Sequence, residues 1–357
     1  MDKEYNYMVC IDCMTYNQAS YIKDTLNGFS IQETNFPFVC TIIDDASTDG
    51  EQEVIKKYLQ EQFDLSDKSV VRNEETEEFS ITFVQHKTNK NCFFAVLYLK
   101  FNHYSIRKPK YPYVKEWRTN CKYIAMCEGD DIWIDPLKLQ KQVDFLNGHP
   151  ECTLYVSNGV GYYEKEKKSV RLNPIQTKES KYLTMSEVLR EKGGLIPTAS
   201  MCFRREMMET EPEWCLNAPV GDRPLRMWCA SHGKIYYDVT PMVVYRKSSI
   251  GSFTQHVNAD YNYARHILDE MNVFYDAFDK YTHQEYKDDV QYMKDREEYS
   301  FYSRVRDFNS LFHCSFFYNK SWLERIKIHV KIQFPFVYKI LYKIKSAIRL
   351  YSPLNMH

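Results

Sequence analysis

The chain lacks an uncharged apolar run of about 18 residues, the length a membrane-spanning helix needs, so no spanning helix is expected. It opens Met1-Asp2-Lys3-Glu4-Tyr5, without a basic segment leading into an apolar core, so no secretory leader is expected. No glycine-rich loop ends in Lys-Ser or Lys-Thr, which removes the usual support for ATP or GTP hydrolysis. Charge of either sign is not in excess: 47 basic residues meet 48 acidic ones, so the balance gives no argument for a nucleic-acid partner. No internal repeat is visible. The eleven cysteines lack the spacing of a disulfide framework or a metal site. Scattered through predicted strands and helices, they read as core thiols of a reducing compartment. The close pair Cys10 and Cys13 lies in the apolar run 8–14, where a strand sends the two side chains to opposite faces. That argues against a redox or zinc role.

What is present centres on residues 123–135. An apolar run, Tyr123 to Cys127, ends in three carboxylates within four residues, Glu128, Asp130 and Asp131, then turns apolar again before Asp135-Pro136. Such a run reads as a buried strand with carboxylates at its carboxyl end, which is where ligands bind in open α/β sheets. Clustered carboxylates repel unless a cation neutralises them, and oxygen ligands suit Mg²⁺ or Mn²⁺. The same residues also read as an acidic loop capping the next helix, and on their own they leave both readings open.

The rest of the pattern alternates strands and helices. Residues 7–14 predict a strand ending at Thr15-Tyr16-Asn17, with Asn17 placed to cap a helix whose inner face carries Ile22, Leu26 and Phe29. A second strand, 38–43, runs into Asp44-Asp45 and a helix after Gly50. Residues 64–78 read as an acidic surface excursion, 80–85 as a strand, 92–104 as a helix and 105–120 as a basic insertion. A helix follows Pro136. Beyond it come a strand at 153–157, a polar stretch at 159–181, a short helix from Ser186 and a strand at 199–203. Helices near 204–210 and 222–232 and two short strands at 234–238 and 242–246 end the regular pattern, and 259–312 read as helical. This succession predicts an α/β fold with a mostly parallel sheet and right-handed crossovers.

Thr15-Tyr16-Asn17, Asp44-Asp45 with Asp49-Gly50, Glu128 to Trp133, Gly221-Asp222 and Tyr245-Arg246 occur in the order and approximate spacing of the family 2 glycosyltransferases. The chain resembles that family over about residues 6–255. The resemblance implies a GT-A fold, a Rossmann-like central sheet flanked by helices, here with a C-terminal helical extension. It implies an inverting enzyme of the bacterial surface-polysaccharide type. Asp45 would face the base of a UDP-sugar, with Thr15, Tyr16 and Asn17 lining the nucleotide pocket, although Asp44 and Asp45 also suit helix capping. Asp130 would be the principal ligand of Mn²⁺ or Mg²⁺ beneath the diphosphate. Glu128, where most relatives have Asp, would reach ribose or metal, and Asp131 would support them. Asp222 would be the catalytic base, a role compatible with starting a helix, and Arg246 or Lys247 would meet phosphate oxygens. Many relatives carry a His shortly after this Arg; here Ser248 and Ser249 stand in that region, which puts a third metal ligand in doubt.

The Gln-x-x-Arg-Trp sequence of polymerising relatives is absent, so single sugar addition to a glycan or lipid-linked hydroxyl is expected. The division expected is a transferase domain at 1–255, with a nucleotide-sugar half (1–150) and an acceptor half (151–255), a helical extension at 256–319 and a basic tail at 320–357. The tail alternates large apolar residues with Lys320, Arg325, Lys327, Lys331, Lys339, Lys343, Lys345 and Arg349. It suits either an anionic membrane surface, on the inner face of the cytoplasmic membrane, or packing on the domain. Two other classes compete. A non-catalytic nucleotide-sugar-binding scaffold would keep Asp45 and Asp130 without needing Asp222. A sugar-phosphate nucleotidyltransferase would need a basic glycine-rich N-terminal loop, and residues 10–21 hold no Gly, Lys or Arg.

Overall fold

A computed structural model describes residues 5–164, 166–192, 194–247 and 257–338. Its centre is a sheet of twelve strands. In chain order these are β1 (Tyr7–Thr15), β2 (Phe38–Asp44), β3 (Arg72–Glu75), β4 (Phe79–Gln85), β5 (Cys92–Leu99), β6 (Cys121–Glu128), β7 (Ile132–Trp133), β8 (Cys152–Tyr163), β9 (Lys168–Arg171), β10 (Lys181–Leu183), β11 (Cys202–Arg204) and β12 (Lys234–Lys247). Across the sheet the order is β10-β12-β8-β11-β6-β1-β2-β5-β4-β3, with β7 against β12 and β9 against β8. The pairs β6-β1, β1-β2, β2-β5 and β8-β12 are parallel. Strands β3, β4, β9, β10 and β11 pair antiparallel. The expected mixed α/β architecture with a largely parallel core is therefore present.

The helices are α1 (Ile22–Ser30), α2 (Glu51–Gln62), α3 (Lys115–Thr119), α4 (Lys138–Gly148), α5 (Met185–Arg190), α6 (Glu213–Leu216), α7 (Asp222–His232), α8 (Tyr261–Tyr281), α9 (Lys287–Val305), α10 (Phe308–His313), α11 (Ser315–Tyr318) and α12 (Trp322–Gln333). One core lies beneath α1, α2 and α4 and holds Ile22, Leu26, Ile55, Leu139 and Val143. The other runs from Cys10, Ile124 and Phe203 to Met271, Phe274 and Met293, so α8 and α9 share a core with the sheet. All eleven cysteines are free and buried, as core thiols should be.

Several predicted elements are corrected. Residues 92–99 form β5, not a helix, because Cys92–Leu99 is a short run rich in aromatic and branched side chains whose residues are buried on both faces between β2 and β4. The excursion 64–78 contains β3, paired to β4. The two strands at 234–246 are one, β12, interrupted by register shifts between Asp238 and Val243. The strand at 153–157 extends to Tyr163, and the polar stretch after it includes β9. Asn17 does not cap α1; it sits in the left-handed region and its Oδ1 accepts from the Thr48 N–H.

Candidate active site

Parallel register brings the strand ends to one line. Thr15 lies opposite Asp44, and Met14 opposite Glu128. The chain then turns at Gly129, whose N–H donates to the Met14 carbonyl. A Cβ at Gly129 would fall 2.2 Å from Thr15 Oγ1 and 2.4 Å from Gln18 Oε1, so only glycine permits this approach. From the other side Thr25 of α1 places its hydroxyl 2.8 Å from the Gly129 carbonyl and 2.7 Å from that of Asp131. The acidic turn is thus held between the β1 loop and α1.

This turn carries Glu128, Asp130 and Asp131, and α7 brings Asp222 towards them. Burial, then Asp130 and Asp222 nearby, push the Glu128 carboxyl up to about 8, against a hydrogen bond from Thr198. Burial, with Glu128 and Asp130 beside it, also pushes Asp131 well above the usual carboxylate range. Asp131 Oδ1 accepts the Arg246 N–H at 3.1 Å, while its buried Oδ2 has no hydrogen-bond partner. Tyr245, one residue earlier on β12, is raised by burial and by Asp131, Glu128, Asp130 and Asp222. Asp222 behaves differently: burial pushes it up, but Arg226 and Arg223 outweigh that and hold it below its ordinary value. Arg226 Nη1 donates to Asp222 Oδ2 at 2.8 Å. One place therefore holds a protonated or cation-seeking cluster beside a carboxylate kept ionised.

An oxygen-rich cluster with an orphaned Asp131 Oδ2 fits a hard divalent ion. Among the described residues no three His, Cys, Asp or Glu side chains form a ready cage.

The nucleotide-side residues are placed less openly. Asp45 is buried, and its Oδ1 accepts from the His103 N–H at 2.7 Å. Its Oδ2 accepts from the Tyr104 N–H at 3.0 Å and from Lys110 Nζ at 2.8 Å. It anchors the 102–110 loop, with lone-pair capacity left on Oδ1 for one more donor. His103 is fully buried with both ring nitrogens unpartnered. The Thr15 hydroxyl is tied to Gln18 and Glu51, so it braces the loop from beneath, whereas Tyr16 is exposed. Asp44 Oδ2 accepts from the Ser47 N–H and Gln52 Nε2, next to the start of α2. The Arg246 guanidinium pairs with Glu164 at 2.7 Å and Asp24 at 2.5 Å, so its charge is engaged before any phosphate arrives. Asp135 receives the Leu137 N–H and Lys141, at the start of α4. Ser248 and Ser249, where many relatives of the resembled family carry a His, lie outside the described residues.

Residues 13–85 match the family model described as Glycosyl transferase family 2. Over those residues the chain is similar to that family. Uncharacterized proteins of Mycobacterium tuberculosis and Mycobacterium bovis are 29% identical to it over 238 residues, which is 67% of this chain and 58% of theirs. The chain thus spans little more than half the length of those curated relatives. Two solved structures overlay it loosely. S. aureus TarS 1-349 in complex with UDP is 14% identical, with 85% of this chain and 83% of that one covered and a TM-score of 0.46. Mannosyltransferase PcManGT from Pyrobaculum calidifontis, in complex with GDP-Man and Mn²⁺, is 13% identical, with 98% and 82% covered and a TM-score of 0.48.

Several residues around this candidate site carry no signal in the sequence. Thr25, Glu51 and Thr198 act through contacts between segments far apart in the chain. Glu191 and Arg226 stand behind Asp222. Tyr245 was visible as part of a motif, but the influence of the four carboxylates on it was not.

Proposed function

We propose that the chain is an inverting transferase that moves a single sugar from a nucleotide donor of the UDP-sugar class to a hydroxyl of a glycan or lipid-linked acceptor. The reading is carried by the convergence of Glu128, Asp130 and Asp131, at the carboxyl end of β6, with Asp222 of α7, while Asp45 follows the end of β2, two strands away. In this reading Asp130 and Asp131, with Glu128 next to them, hold Mn²⁺ or Mg²⁺. The bound ion would neutralise charge that grows on the leaving diphosphate. Asp45 supplies an acceptor for a ring N–H of the base, using its remaining lone pair. Asp222, held ionised by Arg226, takes the proton of the attacking hydroxyl. The new C–O bond forms at the anomeric carbon as the bond to the diphosphate breaks, and the diphosphate leaves with the electron pair.

The division into a transferase domain at 1–255, a helical extension and a basic tail is part of the proposal, as is a membrane-facing tail. In α12 no residue is buried, and Trp322, Leu323, Ile326, Phe334, Phe336 and Val337 are exposed beside Arg325, Lys327 and Lys331. That composition suits the interface of an anionic bilayer, in keeping with an acceptor on the inner face of a bacterial cytoplasmic membrane. Among the described residues no helix is long and apolar enough to cross a membrane. Residues 339–357 of the tail lie outside the described residues.

The test is thermal stabilisation by UDP-glucose, UDP-galactose, UDP-N-acetylglucosamine and GDP-mannose, each with and without Mn²⁺. A shift with one UDP-sugar that requires Mn²⁺ is expected. Stabilisation by GDP-mannose alone would refute the donor class, and no shift with any of them would refute the reading.

A further inference from the structure

Glu191 occupies an unexpected place for its residue type. It is the C-cap of α5 with φ of 36°, a left-handed backbone that disfavours any residue with a Cβ and that glycine or asparagine usually fills. Its side chain is nevertheless directed inward and 1% exposed. One carboxylate oxygen accepts the Ile196 N–H at 3.2 Å and stands 2.9 Å from Arg226 Nη2, an ion pair rather than an aligned hydrogen bond. Arg226 is itself fully buried, and its other terminal nitrogen reaches Asp222. A single guanidinium therefore spans two carboxylates, Glu191 in the interior and Asp222, 22% exposed, at the edge of the site. Buried ion pairs of this kind contribute little net stability compared with apolar packing. Stability alone does not explain a charged pair built on a strained residue, and strain of this sort gathers at functional sites.

We propose that Glu191 is a positioning residue for sugar transfer: acting through Arg226, it fixes the direction of the Asp222 carboxylate and balances the guanidinium that would otherwise bind it too tightly. The inference rests on Asp222 being the base. Asp222 is faced by Arg223 and Arg226 from its own helix, by Glu128 from β6 and by Tyr245 from β12. Arg223 is separately engaged by Tyr275 at 2.6 Å and Glu297 at 2.7 Å, both from the C-terminal helices. Arg226 has its counterpart in Glu191. Without that carboxylate, Arg226 turns wholly to Asp222 and holds its lone pairs away from an incoming hydroxyl.

A double-mutant cycle on the full chain tests this, reading UDP release with Mn²⁺ from the UDP-sugar that the stabilisation screen selects. Glu191→Gln keeps the shape and the acceptor for Ile196. It is expected to lower kcat about tenfold or more while the donor KM stays within about twofold, because an interaction that matters only in the transition state leaves ground-state binding alone. Asp222→Asn is expected to lower kcat by about 10²–10⁴. Combined with Asp222→Asn, Glu191→Gln should add less than about a twofold further loss, since residues acting as one unit are not additive. Equal losses in both backgrounds, or a loss confined to KM, would overturn the proposal. Should Glu191→Gln not fold, Arg226→Lys carries the same cycle, because lysine keeps the charge but not the fork that spans both carboxylates. Unchanged turnover in Asp222→Asn would overturn the base assignment itself, a result distinct from additivity.

Discussion

Replacing Glu128 by glutamine should stabilise the protein in a pH-dependent way. The side chain keeps its size and a partner for Thr198, but loses the charge that burial, Asp130 and Asp222 disfavour. In the folded chain this carboxyl is pushed from 4.5 to about 8, whereas the unfolded chain ionises normally. Below pH 4.5 both states hold the proton and nothing is lost. Between about 4.5 and 8 the unfolded state releases a proton that the folded state keeps, so the contribution to stability falls as pH rises. Above about 8 the full penalty applies, about 5 kcal/mol at roughly 1.4 kcal/mol per pKa unit. Set against a typical folding free energy of about 5–15 kcal/mol, that is a large fraction. With an unfolding entropy of about 2.1 cal/mol/K per residue, it corresponds to about 6 °C in Tm. Calorimetry in chelator should therefore find the wild type and Glu128→Gln alike at pH 4.5 and the variant higher at pH 8.5, with the gap opening steadily between. Adding Mn²⁺ should close much of the gap by stabilising the wild type, and the variant should lose Mn²⁺-dependent donor binding. A gap that does not widen with pH, or a variant less stable at pH 8.5, would refute the account of this cluster.

Three further outcomes follow from other parts of the molecule. Lys138 is fully buried over the Trp133 ring, bonded to Gln142, and burial lowers it from 10.5 to about 8. Its charge costs the fold about 3 kcal/mol at neutral pH, so stability should rise as pH climbs from about 8 to 10.5. Lys138→Met should add about 1–2 kcal/mol at pH 7 after the lost bond to Gln142, and less at pH 10.5; urea midpoints at the two pH values check this. Gly129→Ala forces a methyl into Thr15, and should cost about 1–3 kcal/mol and weaken UDP binding, measured by titration calorimetry. Trp322→Ala with Ile326→Glu should abolish sedimentation with phosphatidylglycerol vesicles while leaving UDP-sugar stabilisation unchanged; persistent sedimentation would remove α12 as the membrane contact.

The glutamine substitution also bears on why the cluster persists. A buried carboxylate that weakens the fold is tolerated where function needs it, and stabilising it away is expected to cost activity. The same trade appears at Glu191, where backbone strain and a buried charge coincide behind Asp222.

The sequence by itself determined which strands end in carboxylates. Apolar runs ending in Asp44-Asp45 and in Glu128 to Asp131 are local patterns, and a strand's carboxyl end follows from them without knowledge of its neighbours. The helix after Pro136 and the helical character of 259–312 were legible for the same reason, since period and capping are short-range. Tertiary structure decided the rest. Cys92–Leu99 became a strand because β2 and β4 flank it, and nothing in an eight-residue apolar run distinguishes that from a buried helix turn. The partners of Asp45 lie 58 to 65 residues away and those of Arg246 as far as 222, so sequence could not tell that both charges are already engaged. Whether Asp222 is a base or a cap likewise turns on Glu191, which packing brings to Arg226, one helical turn from Asp222. A carboxylate's type is written in the chain, but its ionisation and direction are set by whichever charges the fold brings beside it.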